Sequence, residues 1–364
     1  LSRESPGAFP LFDLLARRWR LPAPAAELCF NASASAVAAT LADGRVALVD
    51  VADAEPPEKR IVVDDAGRRT IAPRRGEPRP AVVLAARGAG PARLAPGRGD
   101  NFLIARGDGS LAALAPDGGE ALTRRAVGGE VLALHHAAGM TAIVAANGVE
   151  IADQRGGQDW DARHVAISPD GAWIAFGGGD GLLLTNSARP FAVAQRRLCP
   201  GPVERLVWSG DAAYLAAACG KGGLALLDLA GERFGAIGDF PTPPRSIAFS
   251  AAANALVASG AFRIAAWDLA RPPFAGERRG ALETGRPGLV AVVEVAAHPS
   301  RNLVAAAWAN GQIAIAALGG RDELILQPAG LAPSSLVWSG DGKTLAIASG
   351  EMLSLVSLPD ALFK

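Results

Sequence analysis

Along the chain the apolar positions fall into short runs, each closed by a small polar turn, and the runs come in sets of three. A set opens on a short alternating run such as VAIS (165–168) or LVWS (206–209). Alternation with a period of two places successive side chains on opposite faces of an extended strand. A polar turn follows, clearest as SPDG (168–171) and SGDG (339–342). A second apolar run comes next (WIAFG, YLAAAC), and then usually Asp-Gly or Asn-Gly: Asp43 and Gly44, Asp108 and Gly109, Asn147 and Gly148, Asp180 and Gly181, Asn310 and Gly311. These dipeptides tolerate the positive φ angles of a type I′ turn, so each pair predicts a hairpin of antiparallel strands. A third run completes the set, as in RVALVDV, LLLTN, LALLDL, RIAAWDL and MLSLVSL.

The sets repeat. LVWSGD occurs at 206–211 and again at 336–341, inside RLVWSGDAAYLAAA and SLVWSGDGKTLAIA. With Ser209 and Ser339 as anchors, equivalent positions are Asn31, Gly97, His135, Ser168, Ser250 and His298, in steps of 66, 38, 33, 41, 41, 48 and 41 residues. A residue that recurs in every unit serves the unit, so the Ser and Asp of LVWSGD are expected to shape a turn and its Trp to pack between neighbours. Three strands and a variable fourth, at about 40–45 residues per unit, are the arithmetic of a propeller blade.

On these residues the chain resembles the WD40-repeat β-propellers along almost its whole length. Trp267 and Asp268 form the family's dipeptide, Asp50, Asp153 and Asp228 hold the matching place without Trp, and SPDG at 168–171 is similar to a common first turn of such repeats. No unit has the family's Gly-His pair and most lack the Trp, so the resemblance is to a divergent, bacterial-type member whose blades rest on apolar packing.

Eight sets imply an all-β propeller of eight blades, with seven as the alternative if one weak set belongs to an insertion. After the last set only PDALFK remains, too little for a fourth strand. FPLFDLLARRWRLPAPAAELCF, before the first set, is similar to RPFAVAQRRLCPGPVERLVW, before the fifth. Residues 9–20 are therefore expected to supply the outer strand of the last blade and close the ring, which protects strand edges. Two intervals are irregular. The third blade has little room for an outer strand, and an insertion of about 25 residues lies within 53–91.

Composition narrows the function. Lys plus Arg equals Asp plus Glu at 36 each, so no global field draws in nucleic acid or an anionic membrane. No apolar run reaches the roughly 18 residues of a transmembrane helix. The 43 Gly and 26 Pro are spread along the chain, as many short strands joined by turns require. Cys29, Cys199 and Cys219 sit in or beside apolar segments and read as buried reduced thiols of a cytoplasmic protein. The start, LSRESPGAFP, is no signal peptide as it stands and lacks Met, so a periplasmic protein whose leader was removed before Leu1 is the alternative.

Candidate chemistry is sparse. The four histidines, His135, His136, His164 and His298, are too scattered for a metal centre, and two occupy anchor positions. No GxSxG elbow occurs, and GGGDG at 177–181 joins two strands rather than opening a helix, so it reads as a hairpin turn. Asp43, Asp108, Asn147, Asp180 and Asn310 share one face, where some propeller hydrolases hold calcium, but turn geometry already explains them. The insertion carries Arg68, Arg69, Arg74, Arg75 and Arg79 against Glu77, without an aromatic residue for base stacking. It fits an acidic protein partner better than nucleic acid, with a solvated loop as the plain alternative. Arg93, Arg163, Arg205 and Arg245 each stand just before a first strand, and with Trp160, Glu204, Lys221 and Phe262 they are expected to form a charged and aromatic ring at the channel mouth. The plain alternative is an arginine that only covers its own blade with its stem.

The expectation is one propeller domain over residues 1–364, monomeric by itself, non-enzymatic and without cofactor or metal, holding one or more proteins on a rigid disc. The functional half of that statement comes from fold analogy. The competing reading is a channel-mouth small-ligand binder or calcium-dependent, lactonase-like hydrolase.

Overall fold

A computed structural model describes residues 10–63, 67, 69–88, 90–125, 129–179, 181–275, 278–359 and 362. Arg68 and Asp180, singled out above, and the first residue of the 9–20 closing segment lie outside these. Eight small antiparallel sheets succeed one another along the chain. Each innermost strand touches the innermost strands of the two neighbouring sheets, and the first touches the last, so the sheets close into an eight-bladed propeller.

From the axis outward, blade 1 comprises Ala25–Phe30, Ala36–Leu41, Val46–Asp50 and Val82–Leu84. Blade 2 comprises Arg93–Pro96, Phe102–Ala105, Ser110–Leu114 and Glu120–Arg125. Blade 3 comprises Val131–Ala137, Met140–Ala145, Gly148–Ile151 and Gln154–Gly156. Blade 4 comprises His164–Ile167, Trp173–Gly178, Gly181–Asn186 and Arg189–Leu198. Blade 5 comprises Arg205–Trp208, Tyr214–Ala218, Leu224–Asp228 and Arg233–Ile237. Blade 6 comprises Ile247–Ser250, Ala255–Ala258 and Ala265–Asp268. Blade 7 comprises Val292–Ala297, Val304–Trp308, Ile313–Ala316 and Glu323–Gln327. Blade 8 comprises Ser335–Trp338, Thr344–Ser349 and Met352–Ser357, with Ala16–Arg20 as its outer strand.

The core is a set of eight seams, one between each pair of neighbouring blades, because every sheet is apolar on both faces. In the second strand of blade 1, Val37, Ala39 and Leu41 pack against blade 8, while Ala36 and Ala38 pack against blade 2. Ala305 and Ala307 face blade 8, and Val304 and Ala306 face blade 6. This explains the alanine content: small side chains at alternate positions let twisted sheets lie close without voids. Alternation alone does not make these strands amphipathic, since both of their faces are interior.

The ring closes as expected, by Ala16–Arg20 pairing antiparallel with Met352–Ser357. The closing segment is shorter than 9–20, however, because Leu11–Leu15 forms one helical turn that buries Phe12 and Leu15 against blades 7 and 8. Two further expectations are corrected. Blade 3 does have an outer strand, Gln154–Gly156, paired with Gly148–Ile151. Blade 6 is the three-stranded one, where two isolated bridges, Ile264 to Thr284 and Trp267 to Ala281, stand in place of a fourth strand. Pro272, Pro273 and Pro287 lack the N–H groups a continuous ladder needs. The hairpins at Asp43-Gly44, Asp108-Gly109 and Asn310-Gly311 are also not type I′. Only the glycine is left-handed (Gly44 φ 82°, Gly109 φ 77°, Gly311 φ 78°), and the preceding side chain caps the N–H two residues on instead.

The insertion follows the third strand of blade 1. It forms a turn at Pro57–Arg60 and a small hairpin of Ile61–Val63 with Arg69–Ile71 before entering the outer strand. It clasps the closure. The Arg17 guanidinium donates to the carbonyls of Asp50, Val51 and Ala52. Arg74 makes two 2.7 Å bonds to Asp53, and Arg60 donates to the Leu14 carbonyl at 2.6 Å. The Trp19 indole donates to the Arg79 carbonyl, and Arg79 pairs with Asp50 at 3.0 Å.

Candidate interaction face and channel mouth

Because strands alternate in direction, connections from second to third and from fourth to first strands emerge on one face, and the remaining turns emerge on the other. The second face is built of side-chain-capped turns. Ser168, Ser209 and Ser339 each donate from Oγ to an Asp two residues on and accept a backbone N–H five residues on. The two tryptophans of LVWSGD cross to the preceding blade: Trp208 Nε1 donates to the Ala166 carbonyl and Trp338 Nε1 to the Ala296 carbonyl, both at 3.0 Å. His298 is a true anchor, with Nδ1 accepting from the N–H groups of Ser300 and Arg301. His135 is not. Its Nδ1 accepts the Ile167 N–H of the next blade at 3.2 Å, so it ties two blades rather than a turn.

The first face carries the channel mouth. A cavity of about 370 Å³ there is lined by Arg93, Glu204, Arg205 and Arg245 of the expected ring, together with Glu27, His164 and Ser335. Residues from blades 1, 2, 4, 5, 6 and 8 thus meet around the axis. Arg93 pairs with Glu27 at 3.2 Å, while its Nε is buried without a partner. Burial, then the Arg93, Arg163 and Arg205 guanidinium groups, hold the His164 imidazole below its ordinary value, so it is neutral at pH 7. Glu294, on the inner strand of blade 7, has its carboxyl pushed up to about 7 by burial, against the opposing pull of Arg205 and Ser246. Arg205 therefore acts on blade 4 and blade 7 alike.

The other expected ring members stand apart. Arg163 is exposed and pairs with Asp161 at 3.6 Å beside a cleft between blades 3 and 4. Trp160 is half-buried, and its ring is committed to Phe176 and Phe191 at 5.1 and 6.4 Å between centroids. Lys221 is exposed on the second-to-third turn of blade 5, and Phe262 on that of blade 6. In the insertion, Arg69 and Arg75 are exposed, but Arg74 is occupied by Asp53 and is not a free docking cation.

Sequence reasoning missed the apolar component of this face. Leu198 (74% exposed) ends the outer strand of blade 4 at this face, and Phe262 (44%), Leu289 (96%) and Leu331 (64%) lie on its connections. Outside the insertion, none of the exposed large apolar residues described lies on the opposite face. A leucine in a linker between strands carries no pattern that distinguishes exposure from burial, so only Phe262 was legible. Glu294 was missed for a similar reason: it is one polar letter inside VVEVAA. Asp43, Asp108 and Asn310 are turn caps spread around the ring. Among the described residues, no three His, Cys, Asp or Glu side chains are arranged to hold a metal ion, and no helix is long and apolar enough to cross a membrane.

No family model matches the chain, and no curated protein matches it by sequence. Among solved structures it is similar to the Pan2 WD40 domain of Neurospora crassa, with a TM-score of 0.56 and 13% identity over 93% of this chain and 90% of that one. The fold is therefore that of a WD40-type propeller.

Proposed function

We propose that this chain is a non-enzymatic interaction module that holds one or more protein partners on its channel-mouth face. The observation that carries the reading is that exposed Leu198, Phe262, Leu289 and Leu331 lie on the same face as the arginine-lined mouth. Exposed apolar side chains beside guanidinium groups are the composition of docking hot spots. The disc is rigid because each blade is buried on both sides, so a partner meets a preorganised surface. We place the protein in the cytoplasm, a monomer by itself. In support, none of the three cysteines is in a disulfide, and burial pushes the Cys29 thiol up to about 12, where it is inert.

The test is affinity capture from the native organism with quantitative mass spectrometry. The bait is the wild-type chain, the Arg163→Glu, Arg205→Glu, Arg245→Glu triple variant, or Arg189→Glu on the outer strand of blade 4. A defined set of proteins is expected on the wild type and on Arg189→Glu, depleted about tenfold or more on the triple variant. Equal retention on all three baits would show that partners do not use this face.

A further inference from the structure

Many guanidinium groups among the described residues have a carboxylate partner. Arg17 and Arg74 hold Asp53, Arg106 holds Glu120, Arg233 holds Asp228 and Arg321 holds Glu283. Arg205 and Arg245 differ. They stand on neighbouring blades at the lip of the same cavity, both exposed, and among the described residues no carboxylate lies within ion-pair distance of either. The carboxylates nearby compensate them only in part. Glu27 is taken by Arg93. Glu204, next to Arg205 in sequence, is exposed at the lip and within ion-pair distance of neither arginine. Glu294 is about half protonated near neutral pH. The mouth therefore presents two forks without an ion-pair partner, a neutral imidazole from His164 and the Ser335 hydroxyl.

We propose that the channel mouth binds a compact group of two or more carboxylates, held by Arg205 and Arg245 with His164 and Ser335 beside them. Each planar guanidinium matches one carboxylate through paired N–H bonds, and two forks on two blades suit two separate carboxylates better than one phosphorus centre. The cavity volume of about 370 Å³ is at the small end of ligand pockets, enough for a molecule the size of a tricarboxylate. The carboxylates come either from a free small acid or from adjacent acidic side chains of a polypeptide. The chemistry of recognition is the same, and the experiment separates the two. The inference does not depend on the docking reading, because it is tested without any protein partner.

The measurement is calorimetric titration at fixed low salt with citrate, with an end-blocked hexa-aspartate peptide and with inorganic phosphate. Citrate or the peptide is expected to bind one to one with Kd of about 1 mM or below. The Arg205→Gln, Arg245→Gln double variant is expected to weaken this about tenfold or more, with a melting temperature within about 2 °C of wild type because both side chains are exposed. Glu294→Gln is expected to tighten binding about twofold by removing residual negative charge. Citrate preferred over the peptide identifies a free acid as the source, and the reverse preference identifies an acidic segment. The proposal falls if neither carboxylate probe binds by about 10 mM, if the double variant binds as well as wild type, or if phosphate binds as tightly as citrate through the same two arginines.

Discussion

Trp338 and Ser339 work on opposite sides of one turn. The indole reaches back to the Ala296 carbonyl of blade 7 and packs edge-on to His298, with ring centroids 4.8 Å apart. The hydroxyl accepts the Thr344 N–H and donates to Asp341. Gly342 completes the fit, since any side chain there would run into the His298 ring and would need a left-handed φ of 71°. Trp338→Phe keeps most of the packing but loses the indole hydrogen bond, and is expected to cost about 1 kcal/mol. Trp338→Ala also opens a cavity and is expected to cost about 3–5 kcal/mol. Urea denaturation of the two variants checks the order. A loss no larger for Ala than for Phe would show that the indole contributes its hydrogen bond and little packing.

The clasp at the closure shows how an insertion becomes structural. A hairpin of three-residue strands cannot persist alone. Here it is held by Arg60 and Arg74, and it in turn covers the strand that seals the ring. Burial works to raise the Asp53 carboxyl, but bonds from Arg74 and the Glu55 N–H, with the Arg17 charge, hold it below the usual carboxylate range. Asp53→Ala leaves two guanidinium groups facing each other with little solvent, and a loss of about 3–5 kcal/mol is expected. Arg69→Ala, on the exposed hairpin, is expected to change stability by less than about 0.5 kcal/mol. Limited proteolysis checks the location: Asp53→Ala should release the N-terminal segment first, and cleavage elsewhere first would contradict the clasp. The arginine-rich composition of this segment was legible, but its use was not. Arg74 and Arg75 are neighbours in sequence, yet one is occupied by Asp53 and the other is exposed.

The ring as a whole responds to pH through groups that its closure buries. Burial, with a smaller effect of His136, holds His135 down to about 4, and His136 and His164 are also lowered. An unfolded chain takes up protons on these rings near pH 6.5 while the folded one does not, so stability falls as pH drops from about 6.5 toward 4. Glu294 works in the opposite sense. Its folded value is raised, so its contribution is full below about 4.5 and is lost as pH rises through about 7. His135→Gln, which keeps an acceptor for the Ile167 N–H, is expected to remove about 1–2 kcal/mol of the acid-side loss after allowance for solvent screening of a half-buried ring. Glu294→Gln is expected to steepen the acid-side loss. Urea midpoints at pH 5 and pH 8 measure both, and parallel pH dependence in all three proteins would remove these groups as its cause.

Period-two alternation, turn residues and the recurrence of LVWSGD are local properties, and they were enough to specify strands, blade number and the closing strand. A strand's alternation and a turn's φ angles depend only on near neighbours, so they can be read in order along the chain. The charged mouth obeys a different rule. Arg93, His164, Arg205, Arg245 and Glu294 come from five blades, and their protonation and pairing depend on distances across an axis that exists only once the ring is closed. The same holds for Trp160, which closure turns into packing for blade 4, and for Leu289 and Leu331, which it leaves in water. Desolvation and charge pairing are through-space quantities, and ring closure sets them.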